Sequence, residues 1–179
     1  VLSEIRRVLG STNAVSGDPL VLALPAGTTV DVDVVLHGSW RAALELAQFG
    51  RPFLDGVNPA AGAAFELWLE NERRYLGAAS EGLLHEAALA YLAHGNASGA
   101  VDLAARLVAL NPLDENAQVL HVRCLAANGE RQRARRQVEI CTELFRRELG
   151  VNPSPALRDA AEAHRPRPGS PSRPAILAQ

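Results

Sequence analysis

The chain has 179 residues, 47% hydrophobic and 21% charged, which fits one globular domain, or one domain plus a fragment, and excludes wholesale disorder. A net charge of -2 excludes a surface that is basic throughout, as a strong nucleic-acid binder would have, while leaving room for a local basic patch. Two cysteines cannot build a disulfide framework, which points to a reduced, cytosolic setting, and the sequence contains neither a membrane-spanning apolar run nor a signal peptide.

Thirty-one alanines against 4% aromatics favour closely packed helices, because Ala has the best helix propensity and lets backbones approach. All 18 basic residues are Arg, and the lack of an initiator Met leads us to expect that Val1 is a cut end within a longer protein. Leu2, Ile5, Val8 and Leu9 follow helical spacing and stop at Gly10, a natural terminator. Leu20 to Leu24 is a short apolar run, Pro25-Ala26-Gly27-Thr28 reads as a turn, and Val30 to Val34 alternates Val with Asp. Together they predict a two-stranded hairpin, too small to be stable alone. Ser39 caps a helix expected to run to about Gln48. After a Pro52-to-Pro59 linker, a long helical pattern extends from about Ala61 to Ala93, with Gly77 and Gly82 marking a place to bend or break.

An internal repeat follows. Gly95 and Gly129 are 34 residues apart, as are Ala100 and Ala134, and Leu110 and Leu144. Each Gly separates two helical patterns: Leu83–His94 from Ala97–Leu110, and Asp114–Asn128 from Arg131–Leu149. The stripe Ala134, Val138, Cys141, Phe145, Leu149 has the spacing of a half-buried helix. Paired helices at this period, with Ala at the crossings, are the tetratricopeptide pattern, in which each hairpin buries a face by stacking on the next and a concave groove remains. The predicted fold is therefore mainly α, an α–α superhelix of such hairpins behind a short N-terminal helix and β-hairpin; a four-helix bundle is the alternative. Pro155 to Ala163 predicts one more helix. Residues 164–179 open with a Pro/Arg-rich stretch expected to be a flexible linker, and their apolar end looks like the start of a further element.

Four motifs remain: Pro52-Phe53-Leu54-Asp55-Gly56; Phe65-Glu66-Leu67-Trp68-Leu69 with Glu72-Arg73; Leu110-Asn111-Pro112-Leu113-Asp114-Glu115-Asn116-Ala117; and Glu148-Leu149-Gly150-Val151-Asn152-Pro153-Ser154-Pro155. In this order and spacing the chain resembles the bacterial transcriptional activator domain of SARP-type regulators, over roughly Asp31 to Leu157. The resemblance implies a winged-helix DNA-binding domain before the repeats, with residues 1–34 as its end (recognition-helix end and wing), residues 35–163 as the repeat domain and residues 164–179 as the linker. It also implies that the repeats mediate self-association or contact with other domains and help the winged helix act at promoters. The wing carries no basic residue between Gly10 and Asp33, so whether this piece binds DNA by itself stays open.

The candidate sites follow from residue chemistry. Arg6 and Arg7, adjacent on the expected recognition helix, are candidates for DNA contact in a complete winged helix; the alternative is that they face solvent. Arg131, Arg133, Arg135, Arg136, Arg146 and Arg147 are expected on the solvated face of one helix, offset by Glu139 and Glu143. Phe65 and Trp68 are expected in the core. Tyr75 and Tyr91, each with a polar tip, are candidates with His121 for a partner groove or ligand pocket. Cys124 and Cys141 read as small buried residues packed as a pair, short of the ligands a metal needs, and Asn96 as a helix cap. No catalytic motif, metal or cofactor site is found. The functional expectation is a non-enzymatic interaction domain of a transcription regulator that meets DNA only through a longer parent. Its rivals are a peptide-binding repeat scaffold with no transcriptional role and a small-molecule sensor.

Overall fold

The computed structural model describes residues 2–163 apart from residues 9, 11–13 and 58–61. The expected linker and apolar end at 164–179 lie outside the described residues. The N-terminal helix is as expected: α1 (Leu2–Val8) stops at Gly10, which takes the left-handed φ of 65° that favours glycine. The hairpin is displaced toward the N-terminus. β1 (Val15–Ser16) pairs antiparallel with β2 (Val21–Leu22), Val15 opposite Leu22, and Ala23 extends the ladder by donating to the carbonyl of Ala14.

The Val-Asp alternation that predicted the second strand is instead helical: α2 spans Asp31–His37. Asp31 and Asp33 sit in its first turn, where carboxylates favour the helix dipole, and Val34 and Val35 pack against the core. Burial on neighbouring helices outweighs the strand preference of Val, which reflects packing context more than backbone preference. A domain boundary at 34/35 would fall inside this helix.

Ser39 caps α3 (Trp40–Leu44), its Oγ accepting the Ala42 N–H at 3.3 Å, and this helix stops short of the expected Gln48. α4 (Ala63–Ala93) is a single helix of 31 residues, unbroken at Gly77 and Gly82. Each glycine costs the helix up to about 1 kcal/mol relative to Ala; the stripe Leu69, Leu76, Ser80, Leu84, Ala87, Ala88, buried along the same rod, offsets that cost. α5 (Ala97–Leu110), α6 (Glu115–Ala127), α7 (Arg131–Leu149) and α8 (Pro155–Glu162) complete the chain.

The two turns of the repeat are built alike. At the first, Asn96 donates to the carbonyl of Tyr91 and Gly95 to that of Leu92; at the second, Glu130 donates to Leu125 and Gly129 to Ala126. This is the Schellman ending, which needs a left-handed residue, and Gly95 and Gly129 supply φ values of 77° and 82°. Asn96 then caps α5, its Oδ1 accepting from Gly99 N–H at 3.0 Å. Ala100 and Ala134, 34 residues apart, are both fully buried.

The helices pack in chain order, α4 on α5, α5 on α6, and α6 on α7 and α8, while among the described residues α4 and α7 make no contact. A closed bundle would bring those two together; the fold is a stack of helical hairpins. α6 lies at its centre, with Ala117, Gln118, Leu120, His121, Val122, Cys124, Leu125 and Ala126 all buried. The α7 stripe is buried at Ala134, Cys141 and Phe145 but ends there: Leu149 is 49% exposed, because Gly150 in the left-handed region turns the chain away.

The sequence motifs prove to be latches. Arg73 on α4 donates from Nε to the carbonyl of Phe53 at 2.8 Å and from Nη2 to that of Leu54 at 3.0 Å. The Phe53 ring meets Trp68 edge-on with centroids 6.2 Å apart. Farther along, the Ser154 N–H donates to Glu115 Oε1 at 2.8 Å, tying the entry of α8 to the first turn of α6. The first two motifs thus hold each other, as do the last two. Arg73→Ala is expected to lower unfolding free energy by about 1–3 kcal/mol through two abandoned carbonyls, and Arg73→Lys to recover less than half of that because it lacks the planar fork; urea unfolding measures both.

Candidate interaction groove

α4 and α6 run in the same sense, each followed by an antiparallel partner, and leave a concave face between them. Ala78, Glu81, Gly82, His85 and Leu89 line it from α4, and Asp114, Asn116, Val119, Leu120 and Arg123 from α6, with Leu107 of α5 beneath; the hollow encloses about 710 Å³. A second hollow of about 510 Å³ continues it toward α8, sharing Leu89 and Arg123 and reaching Ala160 and Ala163. Glu81 and Asp114 mark one end and Arg123 lies eight or nine residues farther on, so the groove carries carboxylates at its start and a guanidinium near its middle. Small side chains at Ala78, Gly82, Ala126 and Ala127 keep the surface open. Leu89 presents an exposed apolar side chain at the junction of the two hollows.

The structure does not gather the residues expected to form a pocket. Tyr75 and Tyr91 lie sixteen residues apart on one straight helix, about 24 Å along its axis. Tyr75 is 60% exposed. Tyr91 is a wedge: its ring meets Trp40 edge-on at 5.9 Å, and a Cβ on Gly99 would come within 2.5 Å of it. His121 is buried at 8% exposure with neither ring nitrogen hydrogen-bonded. Desolvation holds its pKa below 6.5, with Arg133 acting in the same direction and Glu130 against it. None of the three lines the groove. Sequence reasoning missed Leu89, Val119 and Arg123, which do.

Of the aromatic pair assigned to the core, Phe65 is half-buried and Trp68 is 44% exposed, Phe65 tilted against Trp68 and Trp68 edge-on to Phe53. The cysteines are buried as expected, Cys124 on α6 and Cys141 on α7, and both belong to the one core cluster. Burial pushes both thiols up to about 11, which removes their nucleophilic form at neutral pH. Among the described residues no group of three or more His, Cys, Asp or Glu is placed to hold a metal ion, and no helix is long and apolar enough to cross a membrane.

On α1, Arg6 directs Nε and Nη2 at the carbonyl of Val15, 3.0 and 2.7 Å away, and so fastens the helix to the hairpin. Arg7 is exposed and pairs with Glu4. Among the described residues this small unit makes no contact with α2–α8. On α7 the exposed guanidiniums of Arg133, Arg146 and Arg147 pair with Glu130, Glu143 and Glu148, which matches a solvated face and adds little stability.

Stacked helix pairs closed by identical turns, with an open groove along their inner face, define a helical-repeat domain rather than a bundle. Residues 35–164 match the family model of the bacterial transcriptional activator domain, and the chain belongs to that family. A search of curated proteins and of solved structures found no match. The chain therefore contains a transcription-activator-related domain of a kind that is regulatory rather than enzymatic.

Proposed function

We propose that the chain is the regulatory, protein-interaction part of a bacterial transcriptional regulator, in which the repeat domain holds a partner surface or a second copy and so helps an adjoining winged helix act at promoters. The continuous groove along α4, α6 and α8 carries this reading, because a stack of hairpins leaves its inner face for a partner. Residues 1–34 are read as the end of the DNA reader, residues 35–163 as the repeat domain and residues 164–179 as a linker. Within the first, Arg6 positions the hairpin and Arg7 is the candidate for phosphate or base contact. The domain is read as cytoplasmic, needing no cofactor.

The experiment uses the regulator with its DNA-binding domain and the paired charge and bulk changes Leu89→Arg and Arg123→Glu. Expected are at least tenfold weaker self-association or partner binding in sedimentation, loss of promoter activation in a reporter strain, and an unchanged thermal midpoint. Retention of both association and activation by the double variant would overturn the reading.

A further inference from the structure

A second cavity lies away from the groove. It encloses about 550 Å³ between α2, the segment 46–55 and the middle of α4, within the range of small-molecule sites. Val35, Leu46, Phe49, Phe53 and Leu76 supply its apolar lining, and Gln48 lines it beside them. Ser80, one helical turn beyond Leu76, lines the same space. It is 7% exposed and is the one polar member of the buried stripe of α4. The charged groups, Asp31, Asp55 and Arg51, are exposed at the rim, and their sum of one negative charge disfavours an anion.

We propose that this cavity binds a small, uncharged, mostly apolar molecule whose single hydrogen-bonding group pairs with the Ser80 hydroxyl. The site goes beyond the interaction groove and shares none of its residues. Asp31 opens α2 at the wall of the cavity, where the chain arrives from the hairpin, so an occupant braces α2 against α4.

The test uses N-phenyl-1-naphthylamine, an uncharged aromatic amine whose fluorescence rises in apolar surroundings, with anilinonaphthalene sulfonate as an anionic probe of similar shape. Saturable one-to-one binding of the uncharged probe is expected, with weaker binding of the anion. Ser80→Ala should weaken the uncharged probe about threefold to tenfold, the worth of one neutral hydrogen bond. Ser80→Leu should abolish binding by filling the space, and Val35→Trp does the same from α2 if Ser80→Leu does not fold. Leu89→Arg, which disables the groove, should leave probe binding unchanged, so failure here and failure of the groove reading are told apart. Absence of saturable binding, equal binding by Ser80→Leu, or loss of binding in Leu89→Arg would each overturn the proposal.

Discussion

Replacing Leu84 by Ala is expected to lower unfolding free energy by about 2–5 kcal/mol. Leu84 is fully buried, within reach of Gly50, beside which Arg106 donates to the carbonyl of Phe49 at 2.7 Å. The cavity left behind would loosen α4, α5 and the segment before α4 together. Thirty-four residues on, the same place in the second hairpin is held by Gln118, which donates to the carbonyl of Pro112 and accepts from Gln137 Nε2, both at 2.8 Å. Gln118→Leu fits sterically, as Leu84 suggests, yet it gives up the hydrogen bonds to the Pro112 carbonyl and from the half-buried Gln137 amide and is expected to cost about 1–3 kcal/mol. Urea unfolding with an unchanged m-value checks both, and a loss below about 1 kcal/mol for Leu84→Ala would contradict its place in the core.

Acid is expected to destabilise the domain through His121. In the unfolded chain this imidazole titrates near 6.5, and in the folded domain it titrates lower because burial penalises the cation. Between those two values the unfolded state binds more protons, so stability is complete above pH 6.5 and falls as the pH drops below it. The slope from this one group approaches about 1.4 kcal/mol per pH unit at most. Arg133 and Glu130 bear on it from the start of α7 with opposite signs. His121→Leu should flatten the stability profile below pH 6.5, measured by denaturant unfolding at each pH. An unaltered slope in that variant would remove His121 as its source.

The repeat was legible because its turns demand particular residues. Gly95 and Gly129 must be left-handed, and Ala100 and Ala134 must let helices approach, so both pairs survive at a fixed offset. The family motifs were legible as words, though nothing in their spacing shows that Arg73 grips the Phe53 and Leu54 carbonyls or that Glu115 receives Ser154. The Val-Asp alternation misled because a seven-residue stretch satisfies either period, and only contact with α4 decides between them. The groove was harder still. Helical spacing says which residues share a face, but not which neighbour that face meets, and a concave surface of Ala, Gly, Leu and scattered charges has no pattern of its own. One signal was available for His121: the residue 34 positions earlier is Ala87, in the middle of a buried stripe, which argues for the core. Tyr91 likewise aligns with the buried Leu125.

The uninterrupted length of α4 has a mechanical consequence. The start of this strut meets the Phe53 segment through Trp68 and Arg73, its middle lines both the groove and the cavity beside α2, and its end holds Tyr91 against Trp40 of α3 just before the turn at Gly95. A rod without a hinge transmits tilt as well as translation, so displacement at either end becomes a lever motion at the other. The Phe53 latch and the turn at Gly95 are thereby geared to each other through a single piece of backbone.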